Sequence, residues 1–147
     1  AQATARRFGV EDWSSDHRTA DFGLQKGDIA GAAGAFLAVW NHETVEAPIA
    51  EGVDEVALAL RADAWGRSFR TRVVSTRPDL KPVRSRHGLV ILPDAKPRPG
   101  RYVIAGEGTA VALLDGALAQ MGRRYGPMAV RLATIGLEYD PPTSHRR

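Results

Sequence analysis

Residues 69–94 read FRTRVVSTRPDLKPVRSRHGLVILPD. A strand rich in β-branched residues runs from Phe69 to Ser75. A proline-bounded turn follows over 78–82, then a short extended piece at 83–86, and a second apolar run at Leu89–Leu92 is stopped by Pro93-Asp94. Only AKPRPG, residues 95–100, separates this stretch from a further apolar strand that begins at Arg101 and continues through Tyr102–Ala105. A crossover between parallel neighbours takes at least about 10–12 residues, and a tight hairpin cannot join a parallel pair. The link therefore implies antiparallel pairing here, an open sheet edge covered by self-association, or a segment outside this sequence.

Upstream, AFLAVW at 35–40 has the length and continuity of a buried strand. The polar NHETVEAPIAEG after it reads as loop, because Pro48 and Gly52 punctuate it. In VDEVALALRADAWGRS, Val53, Val56, Ala57, Leu60 and Ala64 recur at helical spacing. Asp54 and Glu55 fall in the first turn, where the helix dipole favours carboxylates, and Gly66 is the stop. Downstream, the Gly-rich turn GEGT opens a helix with Ala110, Leu113, Leu114, Ala117, Leu118 and Met121 on one face. Gly126-Pro127 ends that helix and starts a last one, with Leu132, Ala133 and Leu137 inward, which Pro141-Pro142 terminates. Continuous strands interleaved with amphipathic helices predict an α/β domain with a mostly parallel sheet covered on both faces. The expected organisation is a partly ordered N-terminal extension over 1–33, the domain over 34–142, and a tail over 143–147.

At 147 residues the chain suits one core. No apolar run approaches the roughly 20 residues that span a bilayer, so no membrane partner is expected. Cysteine is absent, which removes disulfides, thiolate metal sites and a cysteine nucleophile. The pI of 9.7 invites a nucleic-acid reading. However, the net charge is only +3 and the basic residues form no run of five, which argues against a nucleic-acid partner. The chain opens on AQATARRFG without Met, so the compartment stays open between the favoured cytoplasm and export after signal cleavage.

Two blocks, 35–94 and 101–142, resemble the ThiJ/PfpI domains of the class I glutamine amidotransferase-like superfamily. Gly52-Val53-Asp54-Glu55-Val56 is similar to the family's Gly-Pro-x-Glu-Val-like helix start, with valine in place of proline. Val74-Ser75 matches a strand ending, and Val83 to Asp94 matches a segment of the type "vrs.hGl.l.PD". In the tail, Asp115, Tyr125-Gly126 and Tyr139-Asp140-Pro141 resemble the family's closing helices. The resemblance implies a flavodoxin-like three-layer sandwich, shortened relative to the family, and commonly a dimer. It also implies a middle segment with a cysteine nucleophile, for which only six residues stand here. An alternative alignment makes Tyr102–Thr109 the central strand and VRLATIG, from Val130, the strand leading to the nucleophile. The functional expectation is a non-catalytic small-ligand-binding or regulatory module. Its counterpart is a hydrolase or hydratase whose cysteine segment is missing from the sequence.

The resemblance assigns the family's acid position to Glu55, and a carboxyl near an apolar pocket is expected to have a raised pKa. His42, taken to follow the first strand, is placed at the carboxyl ends of the strands, where open α/β sheets bind ligands. His87 stands before Gly88 at a strand start. Gly106-Glu107-Gly108-Thr109 offers backbone N–H groups at a helix start, which makes Glu107 and Gly108 ligand-binding candidates. Ser75, Ser85 and Thr109 are the hydroxyls near strand ends, none in a Gly-x-Ser-x-Gly elbow. The four histidines have no metal-pair spacing, and neither a metal nor a cofactor is expected.

Overall fold

The structure is a computed structural model that describes residues 2–10, 19–106 and 108–141. In chain order its elements are α1 (Gln2–Arg7), α2 (Lys26–Leu37), β1 (Glu43–Pro48), α3 (Glu55–Gly66), β2 (Thr71–Thr76), β3 (Val83–Arg84), β4 (Val90–Ile91), α4 (Ala110–Tyr125) and α5 (Pro127–Leu137), with short 3₁₀ turns at Thr19–Phe22 and Val39–Asn41. This is an α/β arrangement in the broad sense. β1 and β2 form a parallel two-stranded sheet, and β3 and β4 form a separate antiparallel ladder.

Local chemistry accounts for the helices. Asp54 caps α3 by accepting the Ala57 N–H at 3.0 Å, so it precedes the first turn and Glu55 opens it. Thr109 caps α4 through the Ala112 N–H, Arg123 and Arg124 lie in its last turn, and Pro127 opens α5. Ala110, Leu114, Ala117, Leu118 and Met121 are buried along α4, and Ala129, Leu132 and Ala133 along α5, as their spacing predicts.

Two expectations fail. AFLAVW is no strand: Ala35, Phe36 and Leu37 finish α2, and Val39-Trp40-Asn41 is a 3₁₀ turn. Its length and apolarity suit either state, and the Gly/Ala run before it favours continuing a helix. The run is not buried either, since Trp40 is 79% exposed. The strand is instead ETVEAP, expected as loop. Its alternation puts Val45 and Ala47 into the core and Glu46 on the opposite face. Pro48 is tolerated at its end because it faces away from β2, toward a side where β1 makes only the single Val103 bridge, and the Ile104 carbonyl there takes Arg61. The strand required at 130–136 by the alternative alignment lies within α5.

The six-residue link finds its path in single bridges flanking the parallel pair. Ala95 bridges Thr76 on the outer side of β2, and Val103 bridges Glu46 on the outer side of β1, both parallel. The two segments are thus at opposite edges and are not neighbours. Three inter-strand gaps span about 14 Å, and eight residue steps reach about 26 Å, so no helix is needed. Val45, Ala47, Trp65, Ile104, Leu118 and Met121 fill one face of the sheet. The link crosses the other, where the Glu46 carboxylate, only 2% exposed, accepts the Arg98 N–H at 2.9 Å with the Arg101 guanidinium 3.8 Å away.

The core centres on Trp65, which is fully buried with the Tyr102 and Tyr125 rings each 5.6 Å away, the latter edge-on. α2 is attached to α5 by Asp28, which is buried and takes Arg131 at 2.7 and 3.0 Å. That hydrogen-bonded guanidinium holds the Asp28 carboxyl below its usual range.

Glu46→Ala is expected to lower the free energy of unfolding by about 1–3 kcal/mol, because it removes the acceptor of the part-buried Arg98 N–H and the partner of Arg101. Glu46→Gln, which keeps an acceptor for Arg98, should lose less. Urea denaturation followed by tryptophan fluorescence measures both, and equal losses would contradict the assigned role of Glu46.

Candidate functional site

A cleft of about 340 Å³ lies where the end of α1, the turn between β3 and β4, and the starts of α3 and α4 meet. Arg7 and Phe8, Asp54, Arg86 and His87, and Gly108, Thr109 and Ala110 line it. The turn is held by Ser85, whose hydroxyl accepts the Leu89 N–H at 2.9 Å, and by the Arg86 N–H donating to Val53 at 2.9 Å. The start of α4 is held by α1, since the Val111 N–H donates to the Phe8 carbonyl. Gly9, with φ of 86°, comes so close to Thr109 that a Cβ there would lie 2.4 Å from its hydroxyl oxygen.

Glu55 and His87, singled out separately in the sequence, are joined. His87 Nδ1 lies 2.9 Å from Glu55 Oε1, and 32 residues separate them in the chain. Glu55 stands behind His87 and does not itself line the cleft, so it acts through the imidazole, fixing the ring. Burial pushes the Glu55 pKa up, but its own backbone N–H, the Ser85 hydroxyl and His87 outweigh it and bring it below the ordinary value of 4.5. The expected raised pKa is therefore corrected to a lowered one, and Glu55 is a carboxylate at neutral pH. Its second oxygen, Oε2, is buried without a hydrogen-bond partner among the described residues. Beside this pair, Arg86 Nη1 meets Asp54 Oδ2 at 3.0 Å.

Gly108 lines the same cleft with φ of 133°, a conformation that favours glycine. Glu107 lies outside the described residues. The helix start is less open to an anion than its sequence suggests, because Thr109 takes the Ala112 N–H and Phe8 takes that of Val111. His42 is elsewhere. It stands before β1 at the amino end of the sheet, 3.0 Å from the Ala35 carbonyl at the end of α2. Its expected position beyond the carboxyl end followed from taking 35–40 as the strand.

The hydroxyls have structural partners. Ser75 donates to Asp94 at 2.7 Å, while Ser85 and Thr109 accept the backbone N–H groups already named. No group of three or more metal-ligating side chains occurs among the described residues. Arg7 and Phe8 were missed by sequence reading, since nothing in RRFGV marks residues that will meet a helix start a hundred positions later.

The lowered Glu55 pKa sets a pH dependence. A carboxyl depressed by folding contributes stability that is present above its unfolded value and lost as pH falls through the folded value. The stability advantage of wild type over Glu55→Gln should therefore be largest above about pH 4.5 and shrink on further acidification. Thermal unfolding between pH 3 and pH 7, about the range over which this group titrates, reads the difference, and a constant offset would contradict the assignment.

Comparison of the sequence with family models and with curated proteins finds no match to either.

Proposed function

We propose that the chain is a non-catalytic ThiJ/PfpI-like module, a reduced flavodoxin-like sandwich, that binds a small polar ligand in the cleft at the start of α4. The observation that carries this reading is the Glu55–His87 pair, with a half-buried carboxylate oriented behind an exposed imidazole on one wall and Gly108 on the other. Ligand sites commonly combine a concave surface with a few convergent polar groups, and Arg7, Arg86 and His87 supply them here. Regulation follows if ligand contact with His87 shifts the segment after α1, where the Phe8 carbonyl is bonded to the start of α4.

A second reading rests on Glu55 occupying the family's acid position. In it the chain is part of a hydrolase or hydratase of the same superfamily, and the segment with the cysteine nucleophile is encoded but lies outside this sequence. The intact mass of the natural gene product separates the two, since a mass well above 15.9 kDa with a reactive cysteine favours the enzyme. We also propose a homodimer, with Leu89, Val90 and Leu92 at the β3–β4 hairpin, all exposed and apolar, as the covered strip. Light scattering at the mass of a single chain would contradict it.

The binding reading is tested by titrating the labelled protein with a panel of small polar metabolites and following amide resonances. At least one compound is expected to shift His87, Gly108 and Thr109 saturably, with an affinity reduced about tenfold or more in His87→Ala. Undiminished binding by that variant would overturn the site.

A further inference from the structure

At the amino end of the sheet, α2, α5 and the turn between α3 and β2 enclose a second hollow of about 260 Å³. Gly31, Gly34 and Ala35 from α2 face Met128, Ala129 and Leu132 from α5 across it, and no carboxylate lines it. Arg70 lines this hollow and also an adjoining groove of about 490 Å³ that contains Phe36 and Phe69. The glycine, alanine, Met128 and Leu132 part of this lining suits an apolar body, Asn41, Ser68 and Tyr125 add uncharged polar groups, and the arginine is its only charged member.

The Arg70 guanidinium is held on an aromatic face and meets Glu43 as a nearby charge. It stacks 4.6 Å above the Tyr125 ring, and its Nε is buried without a hydrogen-bond partner among the described residues. The nearby Glu43 carboxylate attracts it through space without a hydrogen bond, being already occupied by Arg124 at 2.5 and 2.6 Å and by the Tyr125 hydroxyl. The hydrogen-bonded Arg124 holds the Glu43 carboxyl below its usual range, so it remains an anion committed to that partner. Arg72 lines the adjoining groove as well. Arg70, Arg72 and Arg124 thus lie around the single carboxylate of Glu43, whose hydrogen bonds go to Arg124 and Tyr125, and the group the region lacks is a second anion.

We propose that this hollow is a ligand site for a small monocarboxylate with a compact apolar body, the carboxylate meeting the Arg70 guanidinium and the body lying between α2 and α5. A guanidinium presents a planar fork that matches a carboxylate in two parallel hydrogen bonds. Stacking on Tyr125 holds that fork in place before the ligand arrives, which reduces the ordering cost of binding. Apolar walls favour such an acid over a bare inorganic anion, which would lose its hydration against Met128 and Leu132 without replacement. The site stands at the opposite end of the sheet from His87 and does not depend on the reading of that cleft.

The test is an amide-resonance titration of the full chain with sodium benzoate, with benzyl alcohol and sodium sulfate as controls. Benzoate is expected to shift Gly31, Gly34, Ser68, Arg70 and Ala129 saturably, and both controls far less. Arg70→Met, which keeps an apolar contact with Tyr125, should weaken benzoate about tenfold or more. Gly34→Leu, which fills the hollow where a Cβ at Gly34 meets nothing within 4 Å, should remove binding with Arg70 intact. If either variant fails to give a dispersed wild-type-like spectrum, the wild-type shift map decides alone. Shifts centred on His87 and Gly108, equal binding of benzyl alcohol, undiminished binding by a folded Arg70→Met, or no saturation up to about 50 mM, far above ordinary small-ligand affinities, would each overturn the proposal.

Discussion

A buried carboxylate on the outer face of a two-stranded sheet sets the course of this chain. Glu46 has its backbone in the ladder with Val103, and its side chain takes the amide of Arg98, so the strand that receives the returning chain also holds the link that brings it back. A charged group this deeply buried is tolerated only when hydrogen bonds and a nearby cation replace its hydration. The Arg98 N–H and the Arg101 guanidinium serve that role here. With the helices on one face and the link on the other, six residues suffice to go from one edge of the parallel pair to the other.

The cleft follows from that route. Once Val103 is fixed beside β1, Ile104 enters the core with Trp65, and the chain emerges at Gly108 and Thr109 beside the start of α3. The β3–β4 turn, anchored to Val53 through Arg86, brings His87 to the same place, and Glu55 fixes its ring. The opposite end of the sheet is organised by the aromatic residues around Trp65. Tyr125 packs edge-on against the indole, binds Glu43 and carries Arg70 on its face, which leaves the Arg70 Nε without a hydrogen-bond partner among the described residues.

Sequence reading found what local chemistry controls. The start of α3 near Asp54 and Glu55, the N1 proline at 127, and the apolar faces of α4 and α5 were legible because each is decided within one or two turns of helix, whereas of the face expected on α3 only Ala57 and Ala64 are buried and the buried Trp65 was not part of it. The short strands at 83–84 and 90–91 were legible from their turn residues. The β1 strand was not, because its alternating valine, glutamate and alanine look like loop unless one knows that Glu46 will be buried under residues 96–101. AFLAVW misled for the complementary reason, since apolar continuity predicts burial and here the run ends a helix at the surface. Glu55 and His87 were legible singly but not as a pair, since a contact across 32 residues has no local signature. Arg70 gave no signal at all, since its importance lies in the partner it lacks.

The most direct test of the path assigned to the link is the hydrogen-exchange rate of the Arg98 amide. Residues 96–100 are exposed, and nothing in AKPRPG forms regular structure. If the Arg98 N–H donates to the buried Glu46 carboxylate, it should exchange slowly, in step with the ladder amides of Glu46 and Ile104 and far more slowly than Lys96. Exchange of Arg98 at the rate of an open peptide, with Glu46 and Ile104 protected, would mean that the link does not cross the sheet on Glu46 and would contradict the account.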